Sequence, residues 1–458
     1  MNNRRILILV VAILLLSQSI SLYAETLDLD LKTARKITLE NNPGIKLARE
    51  GVNKSKLQIT ESRSNFFPSF NGFSSLQHAW DLQVNIVPNF IKEMMGPLTP
   101  GYDDMPNYVE MSFGLENTLV YGVSINQPLF TGGAIWNGYK MSKLGHDIAV
   151  SQLKSTEQKV LGDLTSAYYG LLFAKSLLSV TDEALTSAEQ NLEQVNKFFK
   201  VGKSSRFDVL RAEVQVANYK PMVISVKNNL RLAESRLKII MGFNTEVMFN
   251  ITEKLKYEKC DLLDKSIDQI TEIAYRNRPE INMMSAQKAI TKRQLSLAVS
   301  AGIPSVVFGT TYQYMGQRNK NFHFTDEDLN KAFNSSISIN IPLFNGLKNS
   351  SRIQQAKIAI KESNHQEESL KNGIKLEVKS AYFKMKEAEE KVETQKKTIE
   401  QAREALRLAN LMYSEGASTQ LDVLNANLAL NQAKMNYQQS LFEYNVALAN
   451  LKKSINQL

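Results

Sequence analysis

The chain has 458 residues, 43% of them hydrophobic and 22% charged, with a formal net charge of +9. That length suits two or three ordinary domains or one elongated repeat protein, and without a dense basic run the charge does not indicate nucleic-acid binding. The single cysteine, Cys260, excludes an intrachain disulfide scaffold.

Residues 1–24 begin with Arg4 and Arg5, run apolar from Ile6 to Leu16, and close on small and polar residues ending at Ala24. This is the pattern of a secretory signal peptide, with cleavage expected after Ala24. The alternative, an uncleaved anchor, needs about 20 apolar residues, and the run supplies about 11. No later stretch is apolar and long enough to span as a helix, so membrane embedding would have to use strands. No cysteine follows the signal to carry a lipid, and Cys260 reads as an inert residue between the halves.

Beyond the signal the chain is written twice. "NNPGIKLA" (41–48) resembles "NRPEINMM" (277–284), and Pro68 falls against Pro304, both at an offset of 236. From "SINQPLF" at 124 and "SINIPLF" at 338 onward the offset is 214, as in "VGKSSRFDVLRAEV" (201–214) against "EGASTQLDVLNANL" (415–428). The missing 22 residues fall between Pro68 and Pro128, in a stretch rich in proline, glycine and apolar residues. Two structural repeats are therefore expected, at 25–240 and 262–458, joined by a linker at 241–261. The first would carry a long loop at 79–110. Each repeat is predicted to run helix, strand, loop, strand, very long helix, tight turn, long helix.

The long helices carry sustained seven-residue spacing, from Val160, Leu164, Ala167 and Leu171 to Phe199, and from Ile374, Val378, Ala381 and Met385 to Tyr413. The returning helices repeat it from Val209 to Ile240 and from Val423 to Leu451. A sustained seven-residue period marks a coiled-coil seam, and frequent alanine lets backbones approach closely. The stretch from Ala134 to Lys200 would be roughly 100 Å long as one helix. Pro221 is expected to kink or break the first returning helix, at a local cost of ~3 kcal/mol.

The strands alternate with period two. Phe333, Ser335, Ile337, Ile339 and Ile341 share one face and Asn334, Ser336, Ser338 and Asn340 the other. Val306, Phe308, Thr310, Tyr312 and Tyr314 alternate in the same way, as do Tyr121, Val123 and Ile125. Apolar-out, small-polar-in alternation fits a transmembrane barrel strand, and equally a half-buried sheet in a soluble domain. The export signal, the aromatics near the strand ends (Phe66, Phe67, Trp80, Phe130, Trp136, Phe344) and the lack of a short covering helix favour the barrel. Four strands per chain cannot close one, so it would be shared: about eight strands from two copies or about twelve from three.

Over essentially the whole mature chain the sequence resembles the TolC-like outer-membrane efflux channels of bacteria with two membranes. The carriers are "LENNPGIKLA", the twin "PLF" followed by "TGG" or "NGL", and the two turns "VGKSSRFDVLRAEVQVANYK" and "YSEGASTQLDVLNANLALNQAK". The resemblance implies a mainly α fold with a small β portion. A long coiled-coil α-helical barrel would carry four transmembrane β-strands per chain, completing a 12-stranded barrel in a homotrimer embedded in outer-membrane lipid. It implies a gate at the helical tips, where Tyr413 matches a tyrosine that bonds an aspartate of the neighbouring tip, Asp208, and Asp422 matches an inward acidic ring. Asn425 stands where a second ring position is acidic, and Ser418 where an arginine can link tips; both departures predict a less charged gate, with Arg206 as a candidate substitute cation. The tips Val201, Gly202, Lys203 and Ser204, with Glu415, Gly416 and Ala417, would dock a periplasmic adaptor. The adaptor would in turn join an inner-membrane pump of RND, ABC or MFS type.

Read from the residues themselves, Asp208 and Asp422 also suit helix N-termini, and Gly202 and Gly416 suit left-handed helix ends. Pro128, Phe130, Pro342 and Phe344 read as the joint between barrel strand and long helix, with both prolines expected to end the strand ladder by removing a donor. His78, His146, His323 and His365 are scattered and no phosphate-binding or nucleophile motif is present. Neither catalysis, metal nor cofactor is expected. A cell-envelope structural or adhesive coiled coil would explain the heptads but not the duplicated strand pairs.

Overall fold

The computed structural model describes residues 27–97, 100–243, 248–319 and 321–458. The expected signal peptide, 1–24, lies outside the described residues. The fold is mainly helical, and the chain divides into two units.

The helical unit takes residues up to 54, 146–287 and 364–458. Its first repeat opens with strand β1 (Leu27–Asp28), helix α1 (Leu31–Asn41) and the start of α2 (Pro43–Ser64). One helix was expected here, and one again in the second repeat. The structure has two each time, the second pair being α6 (Ile267–Asn277) and α7 (Pro279–Ser300). The residue before a proline is driven out of the helical region. Asn42 and Arg278 accordingly sit at ψ 125° and 126°, and the Asn42 amide oxygen then accepts from the Gly44 and Ile45 amides at 2.8 and 3.2 Å.

Two helical hairpins dominate the unit. Helix α4 (Ala134–Lys200) and α8 (Lys348–Ser414) have 67 residues each, and α5 (Arg206–Met241) and α9 (Gln420–Ser454) return from them. The heptad positions are the ones that bury: Leu164, Leu171, Val195, Val209, Ala212, Val378, Met385, Val392, Val423, Tyr444 and Leu451 are all at most 6% exposed. Pro221 does not break α5. It lies on the exposed side, as does Ala217 one turn earlier, whose carbonyl loses its partner and can be hydrated instead.

The inter-repeat linker is strapped to the helices by side chains. Strand β6 (Phe249–Asn250) pairs in parallel with β1. The Tyr168 hydroxyl bonds Glu253 Oε2 at 2.6 Å, Lys175 Nζ donates to the Ile251 carbonyl at 2.6 Å, and Asn445 Nδ2 donates to the Lys256 carbonyl at 3.0 Å. Cys260 is buried here at 3% exposure, and burial pushes its thiol pKa up, as an inert residue requires.

The sheet unit takes residues 55–145 and 288–363. Strands β2 (Ser69–His78), β5 (Asn117–Phe130), β7 (Ser305–Arg318) and β8 (Leu329–Asn340) form one antiparallel sheet in the order β2-β5-β7-β8. The register carries the predicted alternation across all four strands. Gly72, Val123, Tyr312 and Phe333 form one row, and Phe70, Ile125, Thr310 and Ser335 another. The opposite face carries Asn71, Ser124, Thr311 and Asn334. Glycine is required at 122, where β5 pairs with β7, because a Cβ there would meet the Tyr312 carbonyl at 2.4 Å.

Two expectations for this unit need correction. The 79–110 segment is not a plain loop: β3 (Val84–Pro88) and β4 (Tyr108–Ser112) pair as an antiparallel ribbon around a short helix, α3 (Phe90–Met95). Lys92 Nζ pins it to the Met105 carbonyl at 2.6 Å and to Asn107 Oδ1 at 2.9 Å. Nor does Pro128 end its strand. β5 runs through it to Phe130, with a register shift between Pro128 and Phe130 against β7. Pairing with β2 stops at Asn126, so beyond that point Pro128 has no β2 partner needing its missing donor. Gln127 fills the vacated side, its Nε2 donating to the Phe66 and Pro128 carbonyls at 3.1 and 2.8 Å. That accounts for glutamine in the first copy of the motif. Ile341 in the second copy follows β8, an outer strand, and is 56% exposed.

Candidate functional site

The two tips where each long helix turns back are built alike. Gly202 and Gly416 adopt φ 73° and 77°. The amides that follow them close the helix ends, Lys203 N donating to Phe198 O and Ala417 N to Met412 O, both at 2.8 Å. Each returning helix starts with a reciprocal cap. Ser205 Oγ accepts from the Asp208 amide at 3.1 Å while Asp208 Oδ2 accepts from the Ser205 amide at 3.0 Å. Thr419 and Asp422 repeat this at 3.3 and 2.9 Å. A second hydroxyl completes each cluster: Ser204 Oγ donates to Asp208 Oδ2 at 3.3 Å, and Ser418 Oγ to Asp422 Oδ2 at 3.0 Å. Ser418 thus bonds the acidic residue of its own tip.

These bonds hold both carboxyl pKa values below the usual carboxylate range. Asp208 is lowered chiefly by the Ser205 hydroxyl, and Asp422 chiefly by the Thr419 hydroxyl.

Tyr413 and Asp208, far apart in sequence, lie near enough at the tips for the Asp208 charge to act on the Tyr413 hydroxyl. The Ser204 hydroxyl donates to Asp208, and the Tyr413 ring lies 5.8 Å from that of Phe198. Burial raises the Tyr413 hydroxyl pKa. The Arg206 guanidinium lies 3.9 Å from Glu213 on its own helix, in an exposed pair. Asn425 is exposed one turn beyond Asp422. Of the tip residues, Val201 is 68% exposed, and Gly202, Lys203, Glu415, Gly416 and Ala417 are exposed with it.

Sequence reasoning missed a polar seam just above the tips. Asn427 Nδ2 of α9 donates to Ser187 Oγ of α4 at 2.9 Å. Asn431 Nδ2 donates to the Tyr219 hydroxyl of α5 at 3.1 Å and to Asn427 Oδ1 at 3.0 Å. Lys434 Nζ pairs with Glu183 Oε2 at 2.9 Å. The three residues stand beside the α9 heptad positions, and polar residues at such flanking positions give no signal until the partner helix is known.

At the strand–helix joint, Phe130 is 50% and Phe344 83% exposed. Gly132, Gly133 and Gly346 all take positive φ, and the Ser300 hydroxyl donates to the Gly132 carbonyl at 2.6 Å. Pro342 follows the end of β8, as expected. Among the described residues no helix is long and apolar enough to cross a membrane, and no group of three or more His, Cys, Asp or Glu could hold a metal.

A family model described as outer membrane efflux protein matches residues 35–243 and 271–457. The outer membrane protein TolC of Vibrio cholerae is 22% identical over 371 residues, covering 79% of this chain and 81% of its own. The alkaline protease secretion protein AprF of Pseudomonas aeruginosa is 19% identical, over 73% of this chain and 69% of its own. The solved structure of the Campylobacter jejuni CmeC outer membrane channel superposes with a TM-score of 0.74 at 16% identity, over 93% of this chain and 85% of that one, a likeness of fold.

Proposed function

The chain belongs to the outer membrane efflux protein family, and from that premise we propose that three copies form a passive exit duct of a tripartite efflux or type I secretion system. The observation that carries the stoichiometry is the sheet. Both repeats contribute to its four strands, one face is lined by apolar rows, and β2 and β8 have no outer partner among the described residues. Unpaired strand edges are not tolerated in hydrocarbon, so copies must close on one another, and three give about twelve strands with room for a lumen. The bulge at Pro128–Phe130 and the left-handed glycines then form the joint between barrel and periplasmic helices.

In this reading the four helices of the hairpins carry the duct across the periplasm. The tips around Gly202 and Gly416 meet an adaptor, which couples to an inner-membrane pump supplying the energy. A relative whose name is that of a protease secretion protein supports secretion alongside efflux. The tip clusters are the gate. With Asn425 and Ser418 in place of charged residues, closure rests on Tyr413, Ser204, Asp208 and Asp422.

Conductance of the purified protein in planar bilayers tests both channel and gate. Wild type should form small, mostly closed pores, and Tyr413→Phe combined with Asp208→Ala should open more readily. A double mutant that opens no more than wild type removes these residues from the gate. A protein that runs as a water-soluble monomer removes the channel.

A further inference from the structure

The strand–helix joint of the first repeat carries a cluster that the second repeat lacks. Trp136, Tyr139, Lys140 and Lys143 stand at i, i+3, i+4 and i+7 on one face of α4. Phe66, two residues past the end of α2, sets its ring edge-on against Trp136 and Tyr139 at 6.4 and 5.9 Å, and Gln127 Nε2 donates to its carbonyl at 3.1 Å. The Lys140 ammonium lies 4.8 Å over the Trp136 ring, and that of Lys143 5.0 Å over the Tyr139 ring. Neither lysine has a carboxylate partner among the described residues, and Asp147, one turn beyond Lys143, is exposed and unpaired with it. Moving by the repeat offsets gives Gly302, Ser350, Ile353 and Gln354 in the second repeat, with Lys357 the one position kept. Duplication alone therefore does not account for the cluster.

We propose that this cluster is a headgroup site for anionic phospholipid in the leaflet nearest the long helices, where Lys140 and Lys143 bind lipid phosphate and the rings seat them at the bilayer boundary. This rests on the channel reading above, which puts the joint where strand leaves the membrane. Aromatic side chains with an apolar body and a polar handle settle at the membrane–water interface, and Trp136 and Tyr139 are of that kind. Helix side chains lean toward the helix N-terminus, here the membrane side. Both ammonium groups accordingly reach back one turn, from 140 to the ring of Trp136 and from 143 to that of Tyr139. That brings them toward headgroup depth, a band of about 5–7 Å on each side of the hydrocarbon. With no carboxylate to neutralise them, the two charges are left for an external phosphate. Anionic lipid supplies one with its net charge intact, whereas the phosphate of a zwitterionic lipid is already balanced by its own cation.

Trp80 is exposed, and Trp80→Phe leaves Trp136 as the only tryptophan, so quenching by brominated lipid reads the lipid beside it. The purified protein is reconstituted in vesicles of equal phosphatidylcholine and phosphatidylglycerol, one or the other brominated, with pore conductance recorded alongside. At low salt phosphatidylglycerol should associate with Trp136 about fivefold more strongly than phosphatidylcholine. Lys140→Gln with Lys143→Gln should abolish the preference, as should high salt, while Lys140→Arg with Lys143→Arg should keep it. Loss with glutamine and retention with arginine is a readout that a packing role would not give. An unchanged preference in the glutamine variant overturns the site, as does equal quenching by both lipids, or none by either, in the parent protein. Loss of the preference on adding inorganic phosphate at constant ionic strength makes free phosphate the ligand and overturns the lipid assignment. In each of these cases pore conductance leaves the channel standing. A protein that enters no bilayer overturns the channel reading, and the lipid site with it.

Discussion

Leu347 adopts φ 67° at the position where the first repeat has Gly133, at φ 86°. A left-handed conformation costs a residue with a Cβ about 1–2 kcal/mol, and the Leu347 side chain is 69% exposed, so little burial offsets it. Leu347→Gly should therefore stabilise the protein by about 0.5–1 kcal/mol after the added chain entropy of glycine. A thermal midpoint that fell instead would mean that the leucine side chain is needed as an anchor. The tip carboxylates give a second expectation at this scale. Because folding lowers the pKa of Asp208 and Asp422, their contribution is complete above the ordinary carboxylate value of about 4. It is lost as the pH falls through the lower folded value. Amide-exchange protection at residues 206–212 and 420–426 should drop below about pH 4 relative to the helix middles, and Asp208→Asn with Asp422→Asn should abolish the difference. A uniform loss along the helices would refute the link to these two groups. Both aspartates and both tip glycines were legible in sequence, because capping depends on neighbours within four residues.

The helices show where legibility ends. Seven-residue spacing located the seams, and the buried set from Leu164 through Leu451 follows it with few departures, Phe199 at 41% exposure among them. Side chains at those positions must bury whichever helix lies opposite, so periodicity alone suffices. The α1–α2 and α6–α7 breaks were written at Pro43 and Pro279, but the continuous apolar pattern around them read as one element. Pro221 was the reverse case, a breaker tolerated because it faces outward. The β3–β4 ribbon escaped because its proline and glycine content reads as loop, and its strands have only five residues each. The Asn427–Asn431–Tyr219 seam escaped for a different reason. Its bonds span 212 to 240 residues, and no local pattern encodes which polar residue finds which partner.

In the proposed assembly the decisive feature is the pair of sheet edges, β2 and β8, which have no outer partner among the described residues. Each unpaired backbone group would cost several kcal/mol in hydrocarbon, whereas a β8–β2 ladder between neighbouring copies satisfies both edges at once, and a closed ring leaves none over. Cross-linking can read this ladder directly. The only native cysteine, Cys260, is buried and its thiol raised in pKa, so engineered thiols report without background. A cysteine fixed at Ser336 on β8, combined in turn with single cysteines walked along β2 from Ser69 to His78, should join copies only at a short run of alternate positions. Strand pairing places side chains on one face at period two, and a disulfide needs Cβ atoms about 4 Å apart. Denaturing gels under oxidation should show bands up to three chains and no higher. Bands ending at two chains would put eight strands in the barrel and leave little lumen for a duct. Cross-links at every β2 position would mean that the edges meet through mobile collision, and the shared barrel would fail.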